Sequence, residues 1–177
     1  MRLLPLANHP EPKGAIETRR RRGTLHVVTH HQAHYNGVMS NRESFSHAIK
    51  CFSEPQKRIE YFQLYSDDVI LHGYQGIEPG LESVKQFYYA FWKLFPDAQV
   101  LIQDLIGEGD TLVARYTIIG TMSEAFMGVP AKGQRIELPG ISILHFRNGQ
   151  CFERWTCSDT LVLLNQIGAS VVVASQP

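Results

Sequence analysis

Three stretches in close succession, "AQVLIQDLIGEG", "DTLVARYTIIGTMS" and "QRIELPGISILHFR", constrain the fold of this chain more than any other feature. Each is long, rich in β-branched residues and alternating in polarity, and each therefore reads as a strand. "EGD" makes a turn between the first two, and "RNGQ" turns the third into a further strand, "CFERWTCSD". Short turns imply antiparallel neighbours. With no helical period between these strands, a βαβ alternation and its parallel sheet are excluded.

The helices come earlier. "RESFSHAIKCF" has the apolar spacing of a short amphipathic helix, and Ser53 is placed to cap a second one through "PQKRIEYFQLY", with Pro55 in its first turn. "DDVILHGY" alternates as a strand, with Val69, Leu71 and Gly73 on one face and Ile70, His72 and Tyr74 on the other. The clearest helix is "GLESVKQFYYAFWKLFPD": Val84, Phe87, Tyr88, Phe91 and Phe95 follow helical spacing before Pro96 stops it, making an aromatic wall. At the far end "TLVLLNQIG" is a short helix closed by Gly168. Helices first and a curled meander of strands afterwards give an α+β fold. The expected form is a conical barrel of N-terminal helices packed on a strongly curved, mainly antiparallel sheet, with a central pocket lined by alternate strand residues.

Composition narrows the function classes. Of 177 residues 44% are hydrophobic, enough for one domain with a proper core. Residues 1–38 carry six of the basic side chains, the "RRRR" block and five of the eight histidines, with no sustained period, and read as a disordered leader before a domain at 39–177. Met39 stands at that junction. His30 and His34 have i, i+4 spacing but neither a carboxylate nor a helix signal beside them, so no metal site is expected there. Removing the leader leaves 11 basic and 15 acidic residues, a mildly acidic body that argues against a nucleic-acid surface. Three cysteines without a metal-ligand spacing point to a reduced, cytoplasmic protein without structural disulfides. No apolar run approaches the roughly 18 residues that would span a bilayer.

"CFERWTCSD" raises the chemical question, since its alternation sets Glu153, Trp155 and Asp159 along one otherwise apolar face. Together with "FPD", "EGDTLVARYTIIGT", "FMGVPAKGQRIELPGISILHFRNG" and "ERWTCSDTLVLLNQIG", it closely resembles the SnoaL-like polyketide cyclases and ester cyclases of the nuclear-transport-factor-2-like fold. The resemblance covers residues 43–169, weakly at first and strongly from Phe95 onward, and rests on the order and spacing of these stretches. It implies a conical barrel with a central pocket, a small-molecule substrate, and a homodimer or higher homo-oligomer. It also implies Asp159 as the general acid/base of an intramolecular aldol closure, assisted by His145 and His72. Trp155, Tyr116, Phe91, Phe126 and Tyr88 are the candidate pocket aromatics. Where the family commonly has Gly-Thr-His after the central strand, this chain has Gly120, Thr121 and Met122, which makes the expected pocket greasier.

The residue types suit that chemistry. A carboxylate desolvated in an apolar pocket has its pKa raised, and can take a proton from a carbon between two carbonyls and return it to the alkoxide. Imidazoles at the carbonyl oxygens would stabilise the enolate, and the reaction calls for no cofactor or metal. Asp159 also directly precedes the last helix, where an aspartate serves as an N-cap, and a strand histidine is often simply packed or hydrogen-bonded. Two other readings stay open. One is epoxide hydrolysis or isomerisation, which would need a relay such as Arg115 with Asp159 and a second aspartate. The other is a non-catalytic ligand-binding or dimerisation domain of the same fold.

Register offers a check. A tight Asn148–Gly149 turn alone would pair His145 with Phe152, opposite the Asp159 face; a bulge in or near the turn would pair it with Glu153, on the Asp159 face. The cyclase reading expects the bulge.

Overall fold

The computed structural model describes residues 39–74 and 76–169. The expected leader at 1–38, with His30 and His34, lies outside the described residues.

Helix α1 (Asn41–Ser53) begins with a capping box: Ser40 Oγ accepts from the Glu43 backbone N–H, while the Glu43 carboxylate accepts from the Ser40 N–H at 2.8 Å. Ser53 does not cap the next helix. It ends α1, donating to the Ile49 carbonyl and accepting from Val100 N–H. The expected second helix is broken into a 3-10 turn (Pro55–Lys57), a single α turn, α2 (Arg58–Tyr61), and another 3-10 turn (Phe62–Leu64). Tyr61, Phe62 and Leu64 are all buried, and the tightened turns bring these neighbours to the core side.

Strand β1 (Tyr65–His72) follows, then α3 (Leu81–Leu94), β2 (Gln99–Glu108), β3 (Thr111–Thr121), β4 (Arg135–Arg147), β5 (Gln150–Ser158) and α4 (Thr160–Ile167). The sheet order is β1-β5-β4-β3-β2, with every pairing antiparallel except β1 against β5. The chain therefore has the α+β architecture expected of it. Val84, Tyr88 and Trp92 of α3 are buried, and the two aromatic rings pack on Phe52, Tyr61 and Phe62 in largely edge-to-face and tilted contacts, such as Tyr61 on Tyr88 at 4.9 Å between centroids.

Two details position the sheet. Asp97 of "FPD" accepts from Thr121 N–H at 2.6 Å and from its hydroxyl at 2.7 Å, pinning the approach to β2 against the end of β3. Met122, next to it, is 1% exposed. Gly168 ends α4 in the left-handed region, φ 82°, as its position after "NQI" suggests.

Candidate functional site

The β4–β5 hairpin decides which side chains enter the cone. Asn148 and Gly149 both have positive φ, 54° and 79°, and make a two-residue turn that pairs Arg147 with Gln150. Phe146 then pairs with Cys151, but His145 pairs with Glu153, so Phe152 is a bulged residue. The bulge expected near the turn is present, and it brings His145 opposite Glu153. It also reverses which alternate residues of β5 face inward. Past Phe152, Arg154, Thr156 and Ser158 lie opposite Leu144, Ser142 and Gly140 on the core side, while Glu153, Trp155 and Cys157 fall on the outer face.

The inward residues gather around Arg154, 6% exposed and the one buried charged side chain among the described residues. Its Nη1 donates to the hydroxyls of Tyr65 (2.8 Å), Tyr88 (3.1 Å) and Tyr61 (3.3 Å). Nε and Nη2 reach Ser142 Oγ at 3.2 and 3.0 Å, and Nε reaches Thr156 Oγ1 at 3.2 Å. Among the described residues no carboxylate pairs with it. Burial alone would lower the guanidinium's pKa, but Tyr65, Tyr74, Tyr88 and Tyr61 together outweigh it and hold it well above its usual value. The cation is thus permanent, desolvated, and surrounded by hydroxyls in place of a counter-ion.

Tyr116 closes this cluster toward the α4 end. Ser142 Oγ donates to its hydroxyl at 3.4 Å, and Ser158 Oγ lies 3.5 Å away. Burial would raise its pKa, but the nearby Arg154 charge and the serine hydrogen bonds prevail and bring it below the ordinary tyrosine value. Burial instead drives Tyr61, Tyr74 and Tyr88 upward. Tyr116 is therefore the hydroxyl of this set best able to release a proton. Its ring has room because position 140 is glycine: a Cβ there would stand 2.8 Å from Tyr116 Oη and 2.9 Å from Ser158 Oγ.

The expected acid/base residues are placed differently. Asp159 is exposed; its Oδ1 accepts from Val162 N–H at 3.0 Å, so it is the N-cap of α4. His72 lies on the outer face, its Nε2 3.0 Å from Glu153 Oε1 and its ring stacked on Trp155 at 3.7 Å. His145 Nδ1 lies 3.2 Å from Thr111 Oγ1. The structure brings the two histidines to either side of Glu153 but does not gather them with Asp159 in a pocket: Asp159 is six residues along β5 from the partner of His145, about 20 Å at strand rise. Of the aromatics, Tyr116 and Tyr88 are in the Arg154 cluster. Phe91 is half-buried on α3 against Phe87 and Phe95, Phe126 is half-buried in the β3–β4 connection, and Trp155 is half exposed outside the cone. Arg115 pairs with Asp104 at 2.6 Å on the outer face, with both side chains more than half exposed, so neither belongs to an interior relay.

Arg154 was missed because a pattern reading turns tryptophan inward and arginine outward. The hydroxyls that hold it, on Tyr61, Tyr65 and Tyr88, lie 66 to 93 residues away in the chain. The available signal was "RIELPGISILHFR": its residues 136, 138, 142, 144 and 146 form the more continuous inward set, and one bulge then places Arg154 beside them. A surface cleft of about 320 Å³ lined by Asp67, Pro79, Gly80, Leu81, Glu82 and Ser83 contains none of the expected site residues.

Comparison with known proteins agrees with this architecture. The SnoaL-like polyketide cyclase family matches residues 50–167. IdmH from Streptomyces antibioticus, for which a polyketide cyclase role has been suggested, is 26% identical with a TM-score of 0.64, covering 74% of this chain and all of its own. AclR from Streptomyces galilaeus, suggested to be a hydroxylase, is 22% identical with a TM-score of 0.64, covering 72% of this chain and 95% of its own. TsrD from Streptomyces laurentii is 24% identical at 0.62, covering 75% and 100%. No curated protein matches. Among the described residues no helix is long and apolar enough to cross a membrane, and Cys51, Cys151 and Cys157 are free thiols. With the family match covering two thirds of its length, the chain belongs to the SnoaL-like polyketide cyclase family.

Proposed function

We propose that this chain is a cyclase of the aldol type, acting on a polyketide-like or β-keto ester small molecule, with the Arg154–tyrosine cluster binding the enolate oxygen. The observation that carries this reading is a buried guanidinium without a counter-anion. A desolvated cation costs several kcal/mol, and one left unpaired among hydroxyls suits a group whose negative charge develops only during reaction. Tyr116 and Ser158 form the end of the cluster next to Asp159 in the chain, and that end is where the substrate is proposed to sit. Asp159, released from Val162 N–H, takes the proton from the carbon between two carbonyls. Tyr116 and Arg154 hold the enolate oxygen, and after carbon–carbon closure the protonated Asp159 returns its proton to the new alkoxide. These transfers run without His72 and His145, which are engaged on the outer face.

A non-catalytic binding or dimerisation domain is the second reading, favoured by the side chains already occupying the interior. A test separates the two. The chain is titrated with an aryl 1,3-diketone, following the enolate's near-ultraviolet absorbance, and α-hydrogen exchange into D2O is followed by NMR. The cyclase reading expects a saturable enolate band that is lost in Arg154→Met, and exchange slowed roughly 10²- to 10⁴-fold in Asp159→Asn. A band without accelerated exchange favours the binding domain; neither signal sinks both roles for the cluster.

The outer face is proposed as a homodimer surface. It presents Trp155, Ile143 and Ile106 in one row across the sheet, 50%, 38% and 66% exposed. The cytoplasm, where its three thiols stay reduced, is the proposed compartment.

A further inference from the structure

A second cluster of chemically versatile side chains lies at the α1–α2 junction. His47 and Cys51 are one helical turn apart on α1, and the Pro55–Lys57 turn brings Glu60 of α2 back against them. Cys51 Sγ is 3.4 Å from His47 Nε2 and 3.9 Å from Glu60 Oε2, and His47 Nε2 is 3.6 Å from the same carboxylate oxygen. These are the separations expected between ligands around one small ion. Tetrahedral zinc with sulfur, nitrogen and oxygen ligands at about 2.3, 2.1 and 2.0 Å spaces them about 3.3 to 3.6 Å apart. The nearest point equidistant from the three observed atoms lies in their plane about 2.1 Å from each, and a tetrahedral centre above that plane lies about 2.2 Å from each, within that bonding range.

We propose that His47, Cys51 and Glu60 are a three-ligand site for a zinc-class divalent cation, with its fourth position open to solvent. The donor set fits a borderline-soft ion: thiolate, imidazole and one carboxylate, which would leave the site neutral with a divalent metal. Access fits too. Cys51 is 1% exposed, whereas the His47 and Glu60 side chains are 45% and 39% exposed, so the thiol forms the floor and the other two form the rim. The same burial disfavours a nucleophilic Cys–His–Glu arrangement, since a substrate carbon could not reach Sγ past the two rim groups. Spacings among the three cysteines alone do not reveal the pair, which is the helical His47-x3-Cys51, and its third ligand comes from a helix that propensity alone did not delimit.

The site is independent of the cyclase reading, and its test uses no substrate. The full-length chain is stripped with a chelator and titrated with Co2+, then Zn2+ is added in competition. The expected result is a thiolate-to-cobalt charge-transfer band reaching its limit at one equivalent and abolished by Zn2+. Cys51→Ser removes the band. His47→Ala and Glu60→Gln, both at exposed positions, each weaken Co2+ binding by roughly a hundredfold or more. Because Cys51→Ser could perturb packing, the two rim variants carry the test alongside unfolding melts of the stripped proteins. Zn2+ should raise the melting temperature of wild type and not that of either rim variant. No charge-transfer band in wild type overturns the proposal, as does a Zn2+ shift that survives in both rim variants.

Discussion

Replacing Arg154 with methionine should stabilise this protein. The guanidinium makes six hydrogen-bond contacts to five hydroxyls, and deleting a hub of that kind would ordinarily be expected to cost several kcal/mol. That cost arises mainly when the remaining partners are orphaned. Here they are not. Tyr61 and Tyr65 are 2.8 Å apart, as are Ser142 and Thr156; Thr156 also donates to Tyr74, and Tyr74 is 3.4 Å from Tyr88. Each of the five keeps a partner when the arginine leaves. The hydrogen bonds to the guanidinium are offset against the desolvation of an ion that has no counter-charge to repay it, a penalty of several kcal/mol. Methionine fills much of the same volume and is flexible enough to avoid a void. Replacing a buried ion pair with apolar residues of similar size is often neutral or stabilising by about 1–4 kcal/mol, and removing Arg154 likewise leaves no bare counter-ion behind. The expected gain is about 1–3 kcal/mol, or roughly 2–10 °C in melting temperature for a chain of this size. Urea unfolding of wild type and variant, with the slope m compared to exclude a change in the unfolded state, measures it. A loss of about 3 kcal/mol or more at unchanged m would refute the reasoning, because it would mean that the arginine is what the hydroxyls need to stay satisfied.

Three further expectations follow from the geometry. Asp159→Ala should cost about 1 kcal/mol in urea unfolding while Asp159→Asn stays within a few tenths, since asparagine also accepts from Val162 N–H; equal losses for both would remove the cap from the account. Gly140→Ala should destabilise by about 1–3 kcal/mol through its contact with the Tyr116 ring, and a double-mutant cycle with Tyr116→Leu should recover much of that; additive losses would place the strain elsewhere. Burial pushes the Cys151 thiol up to about 12, above its unfolded value of about 8.5, so its contribution is complete below pH 8.5 and lost as pH rises toward 12. Tyrosinate absorbance should meanwhile include an early step from Tyr116, missing in Tyr116→Phe, that precedes alkaline unfolding; loss of structure before any tyrosine ionises would contradict this ordering.

Strand identity was legible because it rests on local alternation. The long strands β2 to β5, the stop after α3 at Pro96 and the Gly168 cap all lie where a short window of sequence places them. Short-range signals failed where two needs competed, as in Pro55–Leu64, which a helical period describes poorly because adjacent large side chains must all be buried. The Asp97–Thr121 tie was present in "FPD" and "GT", but its partners are 24 residues apart, and nothing local says that the carboxylate will meet that amide.

The site depends on a choice between two charges that the sequence leaves adjacent. With the tight Asn148–Gly149 turn and no bulge, Leu144 would face Glu153 on the core side, and a carboxylate would enter the cone with Trp155. The bulge at Phe152 places Arg154 opposite Leu144 instead. Hydrophobicity favours the first register, since it buries a tryptophan. The second is favoured by hydroxyl chemistry: the tyrosine hydroxyls brought inward by α2, β1 and α3 can all accept from a guanidinium, which offers five N–H donors and no acceptor. A carboxylate could only accept, and would compete with Ser142 and Thr156 for the same protons. The tyrosine hydroxyls therefore meet a cation, and whether Phe152 is paired or bulged determines which of the two adjacent charges faces them. Deleting Phe152 removes only the unpaired residue and leaves a regular ladder in which Cys151, Glu153 and Arg154 still pair with Phe146, His145 and Leu144. The variant should therefore keep Arg154 inward, melt cooperatively and still bind the diketone enolate. A Phe152 deletion that melts cooperatively but no longer binds the diketone enolate would break the link between this register and the site.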